Sequence, residues 1–316
     1  MDLLTIGDVD VDLYMKIDER EVVSSTEGGG EAKICFYHGS KIPVSHFETS
    51  VAGNSLNVGV ACSLLGLKTE VYTETGDDDN ANKVISELKR FGVGISHCNR
   101  NKGTPTNIHT VIIYGGDRTI FSYHEKRTYK VRDWEEPKWL YYTSLGYGFE
   151  GFQEELISYL KKHSKVGVAF NPGTIQMKMG LEKLKNFIEI TDILFLNTEE
   201  AKKLVGDSPL KELHKKIHLL GAKLSVITDA QNGASASDGN NVIKINAYSD
   251  SRPVIDKTGA GDAFSSGFLS AIIYGKNLKE ALAWGVINAG NQIKEIGSLK
   301  GLCDKEQIEK IAKEIS

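Results

Sequence analysis

The fold class is decided by ILFLNTEEAKKLVGDSPLKELHKKIHLLGAKLSVIT, residues 193–228. The two ends of this stretch, ILFLN (193–197) and LSVIT (224–228), are short apolar runs, whereas TEEAKKLVG (198–206) between them has the pattern of a helix. A strand that is apolar on both faces has to be covered on both sides. Two such strands separated by a helix therefore predict a parallel sheet between layers of helices.

The same alternation of apolar runs and amphipathic stretches continues through most of the 316 residues. It predicts an α/β fold of three layers, α/β/α, with a mostly parallel central sheet. We expect residues 1–12, 51–103 and 128–316 to form this core. Further strands are predicted in LLTIGDV (3–9), TEVYTET (69–75), WLYYTSL (139–145) and VGVAFN (166–171), and helices in SLNVGVACSLLGL (55–67), ANKVISELKRFG (81–92) and FQEELISYLKKH (152–163).

Two segments, 13–50 and 104–127, do not follow this alternation. NIHTVIIYGGDRTIFSYHEK (107–126) has β-branched and aromatic flanks around Gly115-Gly116-Asp117, which predicts a hairpin. STEGGGEAK (25–33) has the composition of a mobile loop. We expect the two segments to form a small β-sheet that serves as a lid over a site and as the contact surface of a homodimer.

Composition limits the classes of protein to which the chain can belong. Hydrophobic residues make up 40% of the sequence, which suits a globular core. Lys and Arg number 38 against 42 Asp and Glu, a balance that argues against a partner that is nucleic acid or membrane. No run approaches the roughly 18 apolar residues of a membrane helix, and the acidic start is unlike a secretory signal. The four cysteines lie far apart, so we expect buried thiols in a cytoplasmic protein.

The segment IDKTGAGDAFSSGFLSAIIYG (255–275) carries the strongest chemical signal. Small residues at the start of a helix leave backbone N–H groups unpaired around one point, where the helix dipole adds positive potential. An aspartate beside such an anion site suits a base, which deprotonates a hydroxyl while the amides hold the transferred phosphoryl group. We therefore predict that Gly259, Ala260, Gly261 and Asp262 are catalytic. The plain alternative is an Asp-capped helix after a glycine turn.

Two aspartates, Asp10 and Asp12, lie at the end of the first predicted strand. Ligands of open α/β sheets bind outside the carboxyl ends of the strands. Because carboxylates accept paired hydrogen bonds from vicinal hydroxyls, both residues are candidates for binding a sugar. Simple alternation along a half-exposed strand is the alternative.

The TGAGD segment resembles the C-terminal signature of the ribokinase-like carbohydrate kinases, the phosphofructokinase B type. The resemblance continues in order along nearly the whole chain. Residues 51–58 resemble the N-terminal signature, Asn197-Thr198-Glu199-Glu200 resembles the N-x-x-E motif, and residues 228–233 resemble the T-x-G-x-x-G nucleotide loop. This resemblance implies a ribokinase-like fold and ATP-dependent phosphorylation of a sugar hydroxyl, with Mg²⁺ bridging the phosphates.

The resemblance also implies roles for single residues. The acceptor would be bound by Asp10, Asp12, Gly53, Asn54 and Asn57, and the nucleotide by Asn197, Thr228, Ala230, Asn232, Gly233 and Gly261. Glu200 would hold Mg²⁺ through water. Asp256 and Thr258 match positions beside a monovalent cation in several members, but Lys257 replaces the usual threonine, so dependence on K⁺ stays open. Gly53, Asn57 and Asn197 have plain alternatives as helix-start or turn residues.

Several other functions remain open at this point. A nucleoside kinase of the same fold would stack a base on aromatic residues of the lid, and a sugar-acid or sugar-phosphate kinase would use Lys126 or Arg127 as a counter-charge. The G-x-G-x-x-G at 146–151 admits a dinucleotide-dependent oxidoreductase, although the expected downstream acid is missing. A catalytically silent binding protein is the last alternative. His214 and His218 are expected on a solvated helix face. The lid residues that would stack a base in a nucleoside kinase are Phe36, Phe47, Tyr114, Phe121 and Tyr123.

Overall fold

The computed structural model describes residues 1–18, 23–25, 33–114 and 117–315. Most of the predicted loop at 25–33 and the predicted turn at Gly115 and Gly116 lie outside the described residues. The strands are β1 (Leu3–Ile6), β2 (Asp10–Ile17), β3 (Val23–Ser25), β4 (Lys33–Cys35), β5 (Val44–Ala52), β6 (Thr69–Thr75), β7 (Cys98–Arg100), β8 (Asn107–Tyr114), β9 (Asp117–Tyr123), β10 (Trp139–Tyr142), β11 (Gly167–Phe170), β12 (Ile193–Asn197), β13 (Leu224–Thr228), β14 (Ala234–Ser237) and β15 (Val242–Ile245). The helices are α1 (Asn54–Leu64), α2 (Asp79–Arg90), α3 (Phe149–Lys162), α4 (Thr174–Met179), α5 (Leu181–Ile188), α6 (Thr198–Val205), α7 (Leu210–Leu219), α8 (Ala260–Ile273), α9 (Leu278–Gln292) and α10 (Lys305–Ile315).

A nine-stranded sheet with the order β15-β14-β13-β12-β11-β10-β1-β6-β7 forms the centre of the molecule. The strands from β13 to β7 pair in parallel, and β14 and β15 add an antiparallel hairpin at one edge. The prediction of a mostly parallel sheet is confirmed.

Neighbouring residues of β12 show why this sheet has two covered faces. Ile193 and Phe195 belong to one hydrophobic cluster, and Leu194 and Leu196 belong to another. Successive side chains of a strand point to opposite faces, so each cluster is the core between the sheet and one layer of helices. One layer contributes residues of α3, α5, α6 and α7, and the other contributes residues of α1, α8, α9 and α10. The predicted three-layer α/β/α arrangement is confirmed.

A second sheet, with the order β5-β2-β8-β9, is the smaller sheet predicted from the two interrupting segments. Its strand β2 begins at Asp10, so Asp10 and Asp12 lie in this sheet and not at the end of the first core strand, where the sequence had placed them. β1 already ends at Ile6. The expected boundaries at residues 12 and 50 fall inside β2 and β5, because both strands belong to the smaller sheet over their whole length.

Strand pairing divides the smaller sheet into two faces of different chemistry. The inner face carries Asp10, Asp12, Tyr14, Glu48, Ser50, Asn107, His109, Val111, Arg118, Ile120 and Ser122. The outer face carries Val11, Leu13, Met15, Phe47, Thr49, Val51, Ile108, Thr110, Ile112, Thr119, Phe121 and Tyr123. The root of the outer face, at Val11 and Val51, packs against α1 and α2 in a third hydrophobic cluster.

Two predictions about single side chains are wrong. His214 is not on a solvated face: it is 1% exposed, and its ring nitrogens contact the hydroxyls of Ser225 and Ser235 at 2.7 and 2.8 Å. Burial lowers the pKa of His214 to about 4. Cys35 is an exposed thiol, whereas Cys62 and Cys303 are buried as expected.

Of the helices in the described part of the chain, none combines the length and the apolar character needed to cross a bilayer.

Candidate active site

Helix α8 begins with the TGAGD segment and exposes the predicted anion site. Gly259 has φ 76°, and a Cβ at this residue would lie 2.5 Å from the Cβ of Ser298, so the turn requires glycine. In the described part of the chain, the backbone N–H groups of Gly259, Gly261 and Asp262 have no acceptor, whereas that of Ala260 donates to the carbonyl of Lys257 at 3.3 Å. The predicted anion site at residues 259–262 therefore has three open backbone N–H donors and not four.

The carboxylate of Asp262 is held by two amides. Asn54 Nδ2 donates to its Oδ1 and Asn57 Nδ2 to its Oδ2, each at 2.8 Å, and Ser298 Oγ in turn donates to Asn57 Oδ1 at 2.8 Å. Burial raises the pKa of Asp262 to about 6, because the loss of water outweighs the two amide hydrogen bonds and the nearby Glu200 charge adds to it. Asp262 is thus oriented and close to the pKa range of a general base.

Asp262 is only 6% exposed, but it borders a cavity of about 210 Å³. The cavity lies beyond the carboxyl ends of β11, β12 and β13, which is where open α/β sheets bind ligands. It brings together residues from four of the predicted motifs. Its lining is Asn54, Asn171, Phe195, Leu196, Asn197, Glu200, Thr228, Lys257, Gly259, Ala260, Gly261, Asp262 and Ser265.

The N-x-x-E motif forms the capping box of α6. Glu200 N–H donates to Asn197 Oδ1 at 2.8 Å, and Asn197 N–H donates to Glu200 Oε2 at 2.9 Å. Asn197 is therefore a helix-start residue, as the plain alternative predicted. The two hydrogen bonds use only one carboxylate oxygen of Glu200, and Glu200 also lines the cavity. Burial raises the pKa of Glu200, a cost that a bound cation would offset. Mg²⁺ prefers oxygen ligands and keeps several waters, so this carboxylate suits it.

The predicted nucleotide loop is a tight turn between β13 and β14. Ala230, which stands where the family usually has glycine, has φ 46° and is the one non-glycine residue with positive φ in the described chain. Asn232 Nδ2 donates to Asp229 at 3.0 Å, and Asp229 also accepts from Thr198 Oγ1 at 3.1 Å. A Cβ on Gly233 would lie 2.0 Å from the carbonyl oxygen of Ile245, so only glycine fits there. The loop is consequently rigid at its base.

The predicted acceptor residues separate into two groups. Asp10 and Asp12 are buried on the inner face of the smaller sheet, near His109. Asn54 and Asn57 instead bind Asp262, and both ends of the Asn57 amide are occupied in this structure. Gly53 has φ 114° and lets the chain pass close to Asp8, where a Cβ would lie 2.6 Å from its carbonyl oxygen.

The oxygens around Asp256 and Thr258 already carry N–H donors. Asp256 accepts from the backbone N–H of Thr258 at 2.9 Å and of Gly297 at 3.0 Å, and Arg118 of β9 contacts both Asp256 and Thr258. The buried amide of Gln292 donates to the carbonyls of Thr258 and Gly297. Burial raises the pKa of Asp256, but these hydrogen bonds and the Arg118 charge outweigh it, so the pKa is low. The protein itself supplies the positive partners that a monovalent cation would provide.

Three residues have roles that the sequence did not indicate correctly. Lys257 and Asn171 line the cavity. The sequence indicated Lys257 only as a departure from the family pattern, and Asn171 stands near where the dinucleotide motif would require an acid. Arg127 is buried, and its guanidinium contacts Thr104 and the Pro105 carbonyl, so it is not a free counter-charge at the hairpin edge. An asparagine after an apolar strand was the available signal for Asn171.

Comparison with known proteins now identifies the family. The model of the pfkB family carbohydrate kinases matches residues 24–302. The chain belongs to this family. It is 26% identical to the ATP-dependent 6-phosphofructokinase of Thermoanaerobacterium thermosaccharolyticum, over 97% of this chain and 92% of that protein.

Two solved structures resemble this carbohydrate kinase over nearly their full length. Arabidopsis thaliana ribokinase, complexed with ribose and ATP, has a TM-score of 0.80 at 19% identity and covers 99% of this chain and 98% of its own. The nucleoside kinase of Methanocaldococcus jannaschii has a TM-score of 0.79 at 18% identity and covers 99% of both chains. The expected family, the ribokinase-like fold and the carbohydrate kinase class are confirmed. The dinucleotide reading of residues 146–151 finds no support, since the Gly146 N–H donates to Asp8 at 2.8 Å.

We predict that K⁺ does not stabilise this kinase. An ion that finds no site gives no linkage to unfolding, so replacing choline chloride with KCl at constant ionic strength should leave the Tm unchanged. NaCl is the matched salt control. In Gln292→Ala, which frees the carbonyls of Thr258 and Gly297, a K⁺-specific rise in Tm is expected. A Tm of the unmodified protein that climbs with KCl alone would contradict the assignment.

Proposed function

We propose that this kinase transfers the γ-phosphoryl group of ATP to a hydroxyl of a sugar or sugar derivative, with Asp262 as the general base. The observation that supports the proposal best is the pairing of an oriented, partly desolvated carboxylate with three open backbone donors at the start of α8. The donors would stabilise the charge on the phosphoryl group in flight, and the carboxylate would take the hydroxyl proton.

The hydrogen bonds of Asp262 are compatible with this role. Each carboxylate oxygen accepts one amide hydrogen bond, which leaves a further lone pair on each oxygen to receive the proton. Asn54 and Asn57 are donors through their NH₂ groups, so they fix the direction of the carboxylate without competing for the proton. In this proposal they act on the acceptor through Asp262.

The nucleotide would lie across the cavity from Asp262. In the proposal, Thr228, Ala230, Asn232 and Gly233 run along the nucleotide, and Asn197 and Glu200 hold waters of Mg²⁺. When bound, Mg²⁺ would neutralise phosphate charge. Lys257 brings a positive side chain to the same cavity wall and would contact the phosphates.

The smaller sheet favours a sugar over a nucleoside as acceptor. Its inner face presents Asp10 and Asp12 to the core, and we propose that this face closes over the acceptor as a lid. Four of the five aromatic candidates for base stacking lie on the opposite, outer face: Phe47, Tyr114, Phe121 and Tyr123. The burial of Arg127 likewise weakens the proposal of a sugar-acid acceptor.

Changing Asp262 to Asn tests the base directly. ADP release is first measured over a panel of neutral sugars, sugar phosphates, sugar acids and nucleosides to find the acceptor. Asp262→Asn should then lower kcat by about 10²–10⁴-fold, the usual contribution of a general base, with the KM for ATP nearly unchanged. Asp79→Asn is the matched control, because Asp79 is an exposed aspartate in the first turn of α2. Near-normal turnover of Asp262→Asn would refute the assignment.

The pH dependence follows from the raised pKa of Asp262. A base has to be deprotonated, so kcat/KM should fall as the pH drops through about 6 and level off above it. Titration of the nucleotide produces a similar inflection, but that inflection persists in any variant. The inflection due to the base should be absent from the residual activity of Asp262→Asn, and the comparison of the two profiles decides the question.

We also propose that two copies associate through the outer face of the smaller sheet. Phe47, on the edge strand β5, and Phe121 and Tyr123, on the opposite edge strand β9, are 55%, 59% and 47% exposed there. Exposed apolar side chains that share one face of a sheet suit an interface. Phe121→Glu should therefore convert a dimer to a monomer in light scattering after gel filtration, whereas Lys126→Glu, an exposed change just beyond β9, should not. A monomeric unmodified protein would end this proposal.

The cysteines support a proposed location in the cytoplasm. All four are free thiols, and the exposed Cys35 would be prone to oxidation in an oxidising compartment. Fractionation of the source cells tests this, and recovery of the protein from a membrane or secreted fraction would contradict it.

A further inference from the structure

Asp10, Asp12 and His109 bring two carboxylates and an imidazole together on the inner face of the smaller sheet. Parallel pairing of β2 with β8 sets Asp12 beside His109, and Asp10 lies two residues earlier on the same face. His109 Nδ1 is 3.6 Å from Asp10 Oδ1 and 3.3 Å from Asp12 Oδ1. The three donor atoms lie within 4.8 Å of one another.

The two carboxylate oxygens that face His109 are buried and lack hydrogen bonds. Asp10 and Asp12 are 6% and 5% exposed, and neither Oδ1 accepts a hydrogen bond within the described part of the chain. A buried polar atom without a hydrogen bond is destabilising, and more so when it is charged. A pair of such atoms aimed at one point indicates a ligand that satisfies both.

The distances fit a metal ion better than a direct contact. Bonds of about 2.0–2.2 Å from a tetrahedral ion to nitrogen and oxygen place neighbouring ligand atoms about 3.3–3.6 Å apart. The two separations from His109 Nδ1, 3.3 and 3.6 Å, fall in this range. They are longer than the charge-assisted hydrogen bonds of about 2.7–2.9 Å that a histidine and a carboxylate form when they bind each other.

Both Asp12 and His109 have further hydrogen-bond partners that would hold them in place. Tyr14 OH donates to the other oxygen of Asp12 at 3.0 Å. The second ring nitrogen of His109 lies 3.3 Å from His124 Nε2. Ligands of protein metal sites are usually oriented by such contacts.

We propose that Asp10, Asp12 and His109 form a site for a divalent transition metal ion such as Zn²⁺ or Co²⁺, with a fourth position open. The imidazole ligand distinguishes it from the all-oxygen environment that Mg²⁺ prefers. The site is therefore separate from the one at Glu200. Metal binding here does not depend on the proposed function. If Asp10 and Asp12 also bind the acceptor, as proposed above, metal and acceptor exclude each other.

Metal binding is measured without substrates, on tag-free protein treated with a chelator. Calorimetry with Zn²⁺ should show one equivalent bound, and Co²⁺ should give the visible absorption of a tetrahedral ion. Asp12→Asn and His109→Gln should each abolish the Co²⁺ spectrum, since each removes a ligand. Tyr14→Phe should keep the spectrum but weaken binding by about 10–100-fold, the usual cost of losing a ligand's hydrogen-bond partner. Mg²⁺ at the same concentration should not compete.

His46→Gln is the matched control, because this exposed histidine lies on β5 of the same sheet but outside the cluster. Thermal unfolding of each variant confirms that it is folded, and two independent ligand variants guard against the failure of one. Retention of the Co²⁺ spectrum by both ligand variants would overturn the proposal. So would an unmodified protein that binds no more Zn²⁺ than Asp12→Asn.

Discussion

The structure depends on keeping one carboxylate out of water and still correctly oriented. Asp262 is held by Asn54 and Asn57, which lie more than 200 residues earlier in the chain, and Asn57 is held in turn by Ser298. Three distant segments therefore meet at a single acid. The cost of burying it is only partly offset by the amides, which is why its pKa is raised and not lowered. The same imbalance that destabilises the carboxylate makes it a better proton acceptor near neutral pH.

This arrangement also explains why the segment after α9 matters to a site formed at the start of α8. Ser298 packs against Gly259 so closely that no side chain fits between them, and Gln292 joins the carbonyls of Thr258 and Gly297. The turn that opens the backbone donors is thus braced from behind by hydrogen bonds within the protein. The carbonyls of Thr258 and Gly297 and the carboxylate of Asp256 already accept hydrogen bonds from the protein. The dependence on K⁺ that the sequence left open is therefore best tested at Gln292 and Arg118, which supply these donors and the nearby positive charge.

The sequence was informative where the signal is local. Apolar runs predicted the core strands, and the TGAGD segment placed Asp262 in the first turn of a helix, because both patterns depend on neighbours along the chain. The sequence did not indicate which side chains contact each other across distant segments of the chain. That Asn57 binds Asp262, that Arg127 is buried against Thr104 and that His214 lies between two serines are results of packing between distant segments. The face to which a strand residue points depends on register, and for this reason the sequence could not show that most of the aromatic candidates for base stacking lie on the outer face.

Register in the smaller sheet couples two properties that look unrelated. β2 pairs with both β5 and β8, so its alternation fixes which side chains share a face across the sheet. The register that puts Asp12 beside His109 on the inner face also puts Phe47 and Phe121 on the outer face. A slip of one residue between strands would exchange the faces, moving aromatic side chains to the inner face and the buried carboxylates to the outer face. The register that gives a polar inner face therefore also gives an apolar outer face, so the proposed acceptor site and the proposed contact surface between two copies share a single structural cause.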